Sequence, residues 1–281
     1  MRLSCIAIAA MSMVLTILSG CQEPLGPLTL EWDKNVLTVR GEHLPDKGVK
    51  IWYLEAYCRA NSHTTDWGEH TVIGHKTEKV SADENGKRID LRCTLKDGVV
   101  VDHRITVVED AIDFRVIARN PTDRASEAHW AQPCIHVGEF TGSGPSDTDD
   151  KYRYVPKCFV FIDGKLQRMP TKEWATEARY TPGQVWAAPG VSGDDVNPRP
   201  LNPKIPSNGL IGCFSRDDKL VLATAWSPYQ ELFQGVIRCI HSDFRIGGLD
   251  PGQSKTIRGK IYIVPNDIPA LLRRYEKEFL E

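Results

Sequence analysis

Short apolar stretches alternate with turn residues from residue 29 to residue 119, and this pattern constrains the fold more than any other feature. The turns include Asn85-Gly86 and Asp97-Gly98, dipeptides that favour tight hairpins because they tolerate a positive φ. They recur at intervals of about ten residues, and helical periodicity is missing. The intervening segments are also too short for the crossovers that parallel strands need. We therefore predict an all-β chain, a large antiparallel β-sandwich.

One predicted strand is rich in aromatic and β-branched residues, in the sequence Gly48-Val-Lys-Ile-Trp-Tyr-Leu-Glu-Ala-Tyr-Cys-Arg-Ala60. Strict alternation would put Trp52, Leu54 and Ala56 on one face of this strand. Tyr53 and Tyr57 would then lie on the other face.

The second half of the chain contains two segments that we predict as loops. Residues 141–156 are small, polar and acidic, and residues 171–209 carry much of the proline. A loop as long as the second is usually functional or disordered, and its aromatic residues favour an ordered loop over the mouth of a site. The chain ends in a predicted short helix at residues 266–281, with Asp267 as N-cap and an apolar stripe facing the sheet.

The N-terminus has the layout of a secretory signal, with Arg2 followed by an uncharged apolar run that ends in small residues. Leu18-Ser-Gly-Cys21 resembles the lipobox of bacterial lipoproteins, in which Cys21 would become the lipidated first residue. We predict a signal at residues 1–20, a lipidated tether at 21–29 and the sandwich at 30–265. The alternative is an uncleaved signal anchor. Either way we expect an exported protein, held at the membrane through its N-terminus and facing the periplasm or the cell exterior.

Charge and motifs exclude several classes of protein. The formal net charge is −2, and no basic stripe with interleaved aromatic residues is present, so we expect no nucleic-acid partner. The chain also lacks a P-loop, a G-x-G-x-x-G fingerprint and a G-x-S-x-G elbow. Nucleotide binding and serine hydrolysis thus have no motif to support them.

Six cysteines remain after Cys5 and Cys21 are set aside. Export would allow up to three disulfides among them, with 15 pairings. The sequence does not decide between disulfides and buried thiols, because a core of this size does not need covalent bridges. The six are Cys58, Cys93, Cys134, Cys158, Cys213 and Cys239.

The tripeptide Cys-Ile-His occurs twice, at 134–136 and at 239–241. On a strand, the Cys and the His of each copy point to one face and the Ile to the other. The pair could form a zinc site, close a Cys134–Cys239 disulfide, or place buried thiols beside functional histidines. Cys-x-His on a strand is uncommon for structural zinc, so we favour the third interpretation and expect neither a metal nor another cofactor.

Three segments together resemble the galactose-mutarotase-like superfamily, which includes aldose epimerases and the sandwich domains of many glycosidases and polysaccharide lyases. The first is a meander ending in Ile-Asp-Phe-Arg-Val-Ile-Ala-Arg-Asn-Pro-Thr-Asp. The second is Ala-His-Trp-Ala-Gln-Pro-Cys-Ile-His-Val-Gly, and the third is the closing strand pair with its Leu-x-Pro-Gly turn. The resemblance covers residues 30–265 in pattern. It implies two His and a Glu on a concave sheet, for which His129, His136, Glu139 and His241 are candidates.

Candidate ligand-binding residues combine aromatic rings with polar groups, as sugar sites do. Each also has an ordinary structural explanation, such as a core Trp or a solvated strand face. A His can act as a base near neutral pH, and an Arg fork suits a uronic carboxylate. We predict His136, His241 and Tyr152 as catalytic residues. The predicted substrate-binding residues are His129, Trp130, Arg153, Arg179, Trp186, Trp226 and Tyr229.

These expectations together describe an exported lipoprotein that handles carbohydrate, by epimerase-like or lyase-like acid–base chemistry on a sugar or an acidic polysaccharide. The alternatives are a non-catalytic glycan-binding module and a structural envelope lipoprotein. An ionisable cluster in a cleft would favour the enzyme, and aromatic residues alone would favour the binding module.

Overall fold

The structure, a computed structural model, describes residues 25–61, 67–145, 153–171, 185–197, 201–235 and 238–281. The predictions for Cys21, Tyr152 and Arg179 fall outside these residues. Among the described residues, no helix is long and apolar enough to cross a bilayer.

Strands make up most of the described chain, and three short helical turns interrupt them, at Trp67–Thr71, Val155–Lys157 and Gly193–Asp195. In chain order, the strands are β1 (Thr29–Asp33), β2 (Val36–Arg40), β3 (Val49–Arg59), β4 (Val72–Ile73), β5 (His75–Ala82), β6 (Arg88–Leu95), β7 (Val100–Val108), β8 (Ala111–Arg119), β9 (Ala128–His136), β10 (Cys158–Ile162), β11 (Lys165–Arg168), β12 (Val185–Ala187), β13 (Pro206–Phe214), β14 (Leu220–Ser227), β15 (Tyr229–Gln234), β16 (Cys239–Arg245) and β17 (Ser254–Pro265).

The strands form two antiparallel sheets. The eight-stranded sheet has the order β1-β2-β3-β9-β16-β15-β12, with β4 paired to β3. The nine-stranded sheet has the order β11-β10-β13-β14-β17-β8-β7-β6-β5. The predicted fold class, a large antiparallel sandwich with a short C-terminal helix, is confirmed. The eight-stranded sheet joins strands distant in sequence, since β3, β9 and β16 are neighbours.

The main core lies between the two sheets and is filled by inward-facing aliphatic and aromatic side chains. Ile135 on β9 and Ile240 on β16 belong to it, so the residues on either side of each point to the outer face of the eight-stranded sheet. Hydrophobic burial of this core is the main stabilising contribution. All six cysteines of the described chain are buried, and none is joined in a disulfide.

The C-terminal helix α1 (Ile268–Phe279) covers the other face of the nine-stranded sheet. The Asp267 side chain accepts a hydrogen bond from the Ala270 backbone N–H at 2.9 Å, so it caps the helix. Leu271 and Tyr275 are buried in a second apolar cluster with residues of β10, β13, β14 and β17. The helix therefore covers the part of this face that these strands form.

Strand β3 is not regular, which corrects the predicted alternation. Its pairing with β9 shifts between Trp52 and Ala56, and Leu54 adopts φ +68°. The bulge turns Leu54 into the main core with Tyr53, although the sequence predicts it on the face of Trp52. A bulky residue rarely adopts this conformation, so the surrounding packing must stabilise it.

The predicted loop at 171–209 contains a short strand. β12 pairs with β15 at the edge of the eight-stranded sheet, with Val185 opposite Phe233. Val185 packs with Val196 and Phe233 in a small cluster on the outer face of that sheet. The described part of this excursion therefore covers the sheet that carries the Cys-Ile-His tripeptides.

Candidate functional site

The two Cys-Ile-His tripeptides meet on adjacent antiparallel strands. Cys239 on β16 lies opposite His136 on β9, and Ile240 lies opposite Ile135. The same register places His241 opposite Cys134. The two thiols and two imidazoles therefore form one group on the outer face of the eight-stranded sheet. His136 and His241 are diagonal neighbours, a relation that puts the two residues roughly 7–8 Å apart, with their Cβ atoms somewhat closer.

A row of hydrogen bonds runs along β16. The Cys239 Sγ lies 3.2 Å from His241 Nε2, and His241 Nδ1 lies 3.3 Å from Asp243 Oδ1. The Phe233 ring stacks on the imidazole with centroids 4.1 Å apart. Burial lowers the pKa of His241, but the charges and hydrogen bonds of Cys239 and Asp243 outweigh it and raise the pKa to about 10. Without another cation nearby, this imidazole is therefore protonated at neutral pH.

Asp243, at the end of this row, interacts with a second carboxyl, that of Glu231. Glu231 and Asp243 are both fully buried. Burial raises the pKa of Glu231 well above its usual range, and the nearby charge of Asp243 adds to this effect. Burial also raises the pKa of Asp243, although its hydrogen bond to His241 opposes the shift. The two side chains are hydrogen-bonded to each other, and ionising both would place two negative charges side by side in the interior. The pair therefore shares a proton at neutral pH.

The bulge in β3 brings a third carboxyl to the group. Glu55 follows Leu54, the residue at φ +68°, and hydrogen-bonds with the Cys134 thiol. Burial raises the pKa of Glu55 to about 7; the neighbouring His241 opposes this, and Cys239 and Asp243 add to it. This carboxyl can therefore exchange a proton near neutral pH.

The end of the group near His136 opens into a cavity of about 250 Å³. His136, Lys47, Lys50 and Glu139 are among the residues that line it. Lys47 Nζ lies 3.7 Å from Glu139 Oε1. Burial lowers the pKa of His136, so the imidazole is neutral at pH 7 and can accept a proton.

A second cavity, of about 830 Å³, adjoins the first, and the two share Lys47, Glu139 and Gly144. Arg216 and Lys219 also line it. A ligand longer than one small ring could thus extend from one cavity into the other. The walls carry both signs of charge.

An exposed aromatic ring lies beside the group. Trp52 on β3 lies opposite Cys134 and is 40% exposed, which is unusual for a side chain of this size. An apolar sugar face can pack on such a ring.

The predicted residues divide between several parts of the molecule. His136 and His241 are brought together. His129 lies at the other end of β9, with Nδ1 3.9 Å from Asp195 Oδ2. The same oxygen accepts a hydrogen bond from Arg245 at 2.7 Å. Arg153 is exposed.

The predicted aromatic platform does not assemble on this face. Trp186 and Trp226 are buried in the main core, and Trp130 is buried in a small cluster with Cys58. Tyr229 is half-buried, and its hydroxyl donates to the Asn208 carbonyl at 3.4 Å. Large aromatic side chains stabilise a core strongly, and these four are placed accordingly.

Sequence reasoning missed Glu55, Glu231, Asp243, Lys50 and Trp52. Asp243 continues the alternation of Cys239 and His241 on β16, so the sequence contained a signal for it. The sequence contained no such signal for Glu55, because the bulge in β3 changes the face of the sheet on which the Glu55 side chain lies. Lys50 on β3 and Glu231 on β15 join the group only because their strands pair with β9 and β16.

Comparison with known proteins gives a likeness of fold. No family model and no curated protein matches the sequence. Among solved structures, a protein of Synechocystis sp. PCC 6803 is similar with a TM-score of 0.49 and 11% identity, over 86% of this chain and 96% of that one. A galactose mutarotase-like protein of Clostridium acetobutylicum has a TM-score of 0.43 and 11% identity, over 87% and 100% of the chains. A galactose mutarotase-like protein of Lactobacillus casei has a TM-score of 0.42 and 10% identity, over 84% of this chain and 99% of that one.

Proposed function

We propose that this protein handles carbohydrate and transfers a proton on an acidic sugar bound in the His136 cavity. The observation that supports this most is the convergence of His136, Glu139, Lys47 and Lys50 on one cavity of about 250 Å³. A neutral imidazole, a carboxyl and two cations are the groups that such a reaction needs. The adjoining cavity of about 830 Å³ would hold the neighbouring sugars of a polymer.

Each group has a role in the proposed reaction. Lys47 and Lys50 bind the uronic carboxylate and stabilise the negative charge that develops on it when the adjacent carbon loses its proton. His136 accepts that proton. In an epimerase-like reaction, Glu139 as the second acid delivers a proton to the opposite face of the same carbon, and exchange with solvent then removes the proton from His136 and restores the one on Glu139. In a lyase-like reaction, the electron pair forms a double bond and the glycosidic oxygen leaves with a proton from Glu139, the carboxyl residue that lines the same cavity.

The test is a screen of uronic-acid polymers and free sugars. Elimination is followed by the ultraviolet absorbance of the unsaturated product, and epimerisation by solvent deuterium entering the sugar in NMR. We expect His136→Gln to lower kcat by about 10²-fold or more, the usual contribution of a general base. Lys50→Ala should mainly raise KM for the acidic substrate.

The control is His129→Gln, on the same strand but in neither cavity. It should leave turnover unchanged. Equal activity of His136→Gln and the wild-type protein would contradict the proposed chemistry. Tight glycan binding without turnover in either protein would favour the binding module, for which the exposed Trp52 is the supporting observation.

We also propose that the chain is exported and lipidated at Cys21, from the lipobox-like end of its N-terminal apolar run. Metabolic labelling with a radioactive fatty acid should mark the wild-type protein and not Cys21→Ser. Equal labelling of both would contradict this anchor.

A further inference from the structure

Three metal-ligating atoms converge on the outer face of the eight-stranded sheet. The thiols of Cys134 and Cys239 and a ring nitrogen of His241 all lie within 4.8 Å of one another. All three side chains are buried, with at most 2% of each residue exposed. Each belongs to a regular strand, so the backbone holds the ligand directions in place.

The spacing suits tetrahedral zinc. Zn–S bonds of about 2.3 Å and Zn–N bonds of about 2.05 Å imply S···N separations of about 3.6 Å in a tetrahedron. Cys239 Sγ and His241 Nε2 are 3.2 Å apart, so a small movement admits the ion. Two thiolates and an imidazole are also donors that bind zinc in preference to hard cations such as magnesium or calcium.

The residues around the three ligands fit the same assignment. A metal-binding His usually hydrogen-bonds through its second nitrogen to a carboxylate, which fixes the ring. Here Nδ1 lies 3.3 Å from Asp243 Oδ1, which leaves Nε2 directed at the thiols. Burial raises the pKa of the Cys134 thiol well above its usual range, and a dication would reverse this because it favours the thiolate.

A glycine keeps the space beside the ligands open. A Cβ on Gly235 would lie 2.2 Å from Cys239 Sγ and 3.1 Å from His241 Nε2. Any side chain at this position would therefore enter the space where the ligands meet.

We propose that Cys134, Cys239 and His241 bind one zinc ion, with the fourth coordination position directed toward Glu55. The two thiolates would balance the charge of the ion, so the buried site would be neutral. Three protein ligands and an open position are typical of catalytic rather than structural zinc. This inference goes beyond the proposed function and does not depend on it, and it revises the expectation from the sequence that no metal binds.

The test measures metal content in the full chain, purified under reducing conditions without chelators. Mass spectrometry of the elements should find about one zinc per chain. Cobalt added to the metal-free protein should give the thiolate-to-cobalt charge-transfer band and the visible bands of a tetrahedral ion. Cys239→Ser should lose both signals, and Asp243→Asn should weaken zinc binding by about 10- to 100-fold.

The matched control is the double variant Cys158→Ser, Cys213→Ser. These two cysteines are also buried and face each other across β10 and β13, but the site does not include them. The control should keep about one zinc, as should His136→Gln, which tests the acid–base chemistry separately. Circular dichroism checks that each variant is folded.

Two results would overturn the assignment. One is a reduced, folded wild-type protein that binds neither zinc nor cobalt. The other is a Cys134–Cys239 disulfide in the protein isolated from its native compartment, because oxidation removes both thiolate ligands.

Discussion

His103 shows at the residue scale how burial sets the charge of a side chain. Its two ring nitrogens lie 2.9 Å from the Tyr53 and Tyr57 hydroxyls inside the main core. A neutral imidazole offers one donor and one acceptor, so one hydroxyl donates to the ring and the other accepts from it. Burial lowers the pKa of His103 to about 3, with Asp102 opposing the shift. The histidine is therefore neutral in the folded protein at any pH near 7.

This burial predicts a loss of stability in acid. Between pH 6.5 and about 3 the unfolded chain binds a proton at His103 that the folded chain does not, so stability falls as the pH falls. The loss is about 1.4 kcal/mol per pH unit. Between pH 7 and pH 5, the free energy of unfolding should fall by about 2 kcal/mol more in the wild-type protein than in His103→Gln.

Denaturant unfolding at the two pH values measures this difference. His70→Gln is the control, because the His70 side chain is 53% exposed. Equal pH dependence in the wild-type protein and His103→Gln would show that the ring does not titrate as proposed.

Close packing between neighbouring strands of one sheet is visible at the element scale in β14 and β17. Trp226 lies opposite Gly259, and a Cβ on Gly259 would lie 2.3 to 2.6 Å from three atoms of the indole ring. Real Cβ contacts are not this short, so the ring fills the space left by the missing side chain. This packing also explains why Trp226 is in the core and not at the surface.

Gly259→Ala should therefore destabilise the protein by about 1–3 kcal/mol, the usual cost of overpacking a core. Gly26→Ala is the control, because its added Cβ would lie 3.6 Å or more from the nearest heavy atom. The midpoint of denaturant unfolding checks both variants. A Gly259→Ala protein as stable as the wild type would mean that Trp226 has room to move.

The two faces of one strand illustrate where the stability of the whole molecule originates. On β7, Ile105 is fully buried in the main core. The adjacent Arg104 points outward, is 59% exposed, and pairs with Asp90 at 3.3 Å. Similar Arg–Asp pairs run across the outer face of the nine-stranded sheet.

Exposed ion pairs contribute little because water and salt screen them. We expect Arg104→Ala to change the free energy of unfolding by less than about 1 kcal/mol. Ile105→Ala should cost about 2–5 kcal/mol, because it leaves a cavity in the core. Calorimetry or urea unfolding of the two variants compares them, and a larger loss for Arg104→Ala would show that the ion pairs are structural.

Local patterns in the sequence predicted much of the fold. Residue alternation, turn dipeptides and the Asp267 cap each act within a few residues along the chain, so the class of fold and the C-terminal helix could be predicted. The same alternation of side chains along a strand predicted that Cys239 and His241 lie on one face. None of these signals depends on which strands become neighbours.

Only the tertiary structure decided how the candidate site is composed. The pairing of β9 with β16 brings Cys134 opposite His241, although more than a hundred residues separate them in the chain. The bulge at Leu54 turns Glu55 toward them. The main core takes Trp186 and Trp226, two of the three tryptophans that the sequence suggested as a binding platform. Sequence by itself determined the fold class, because alternation and turns are local. The site required the structure, because strand pairing and burial depend on the whole chain.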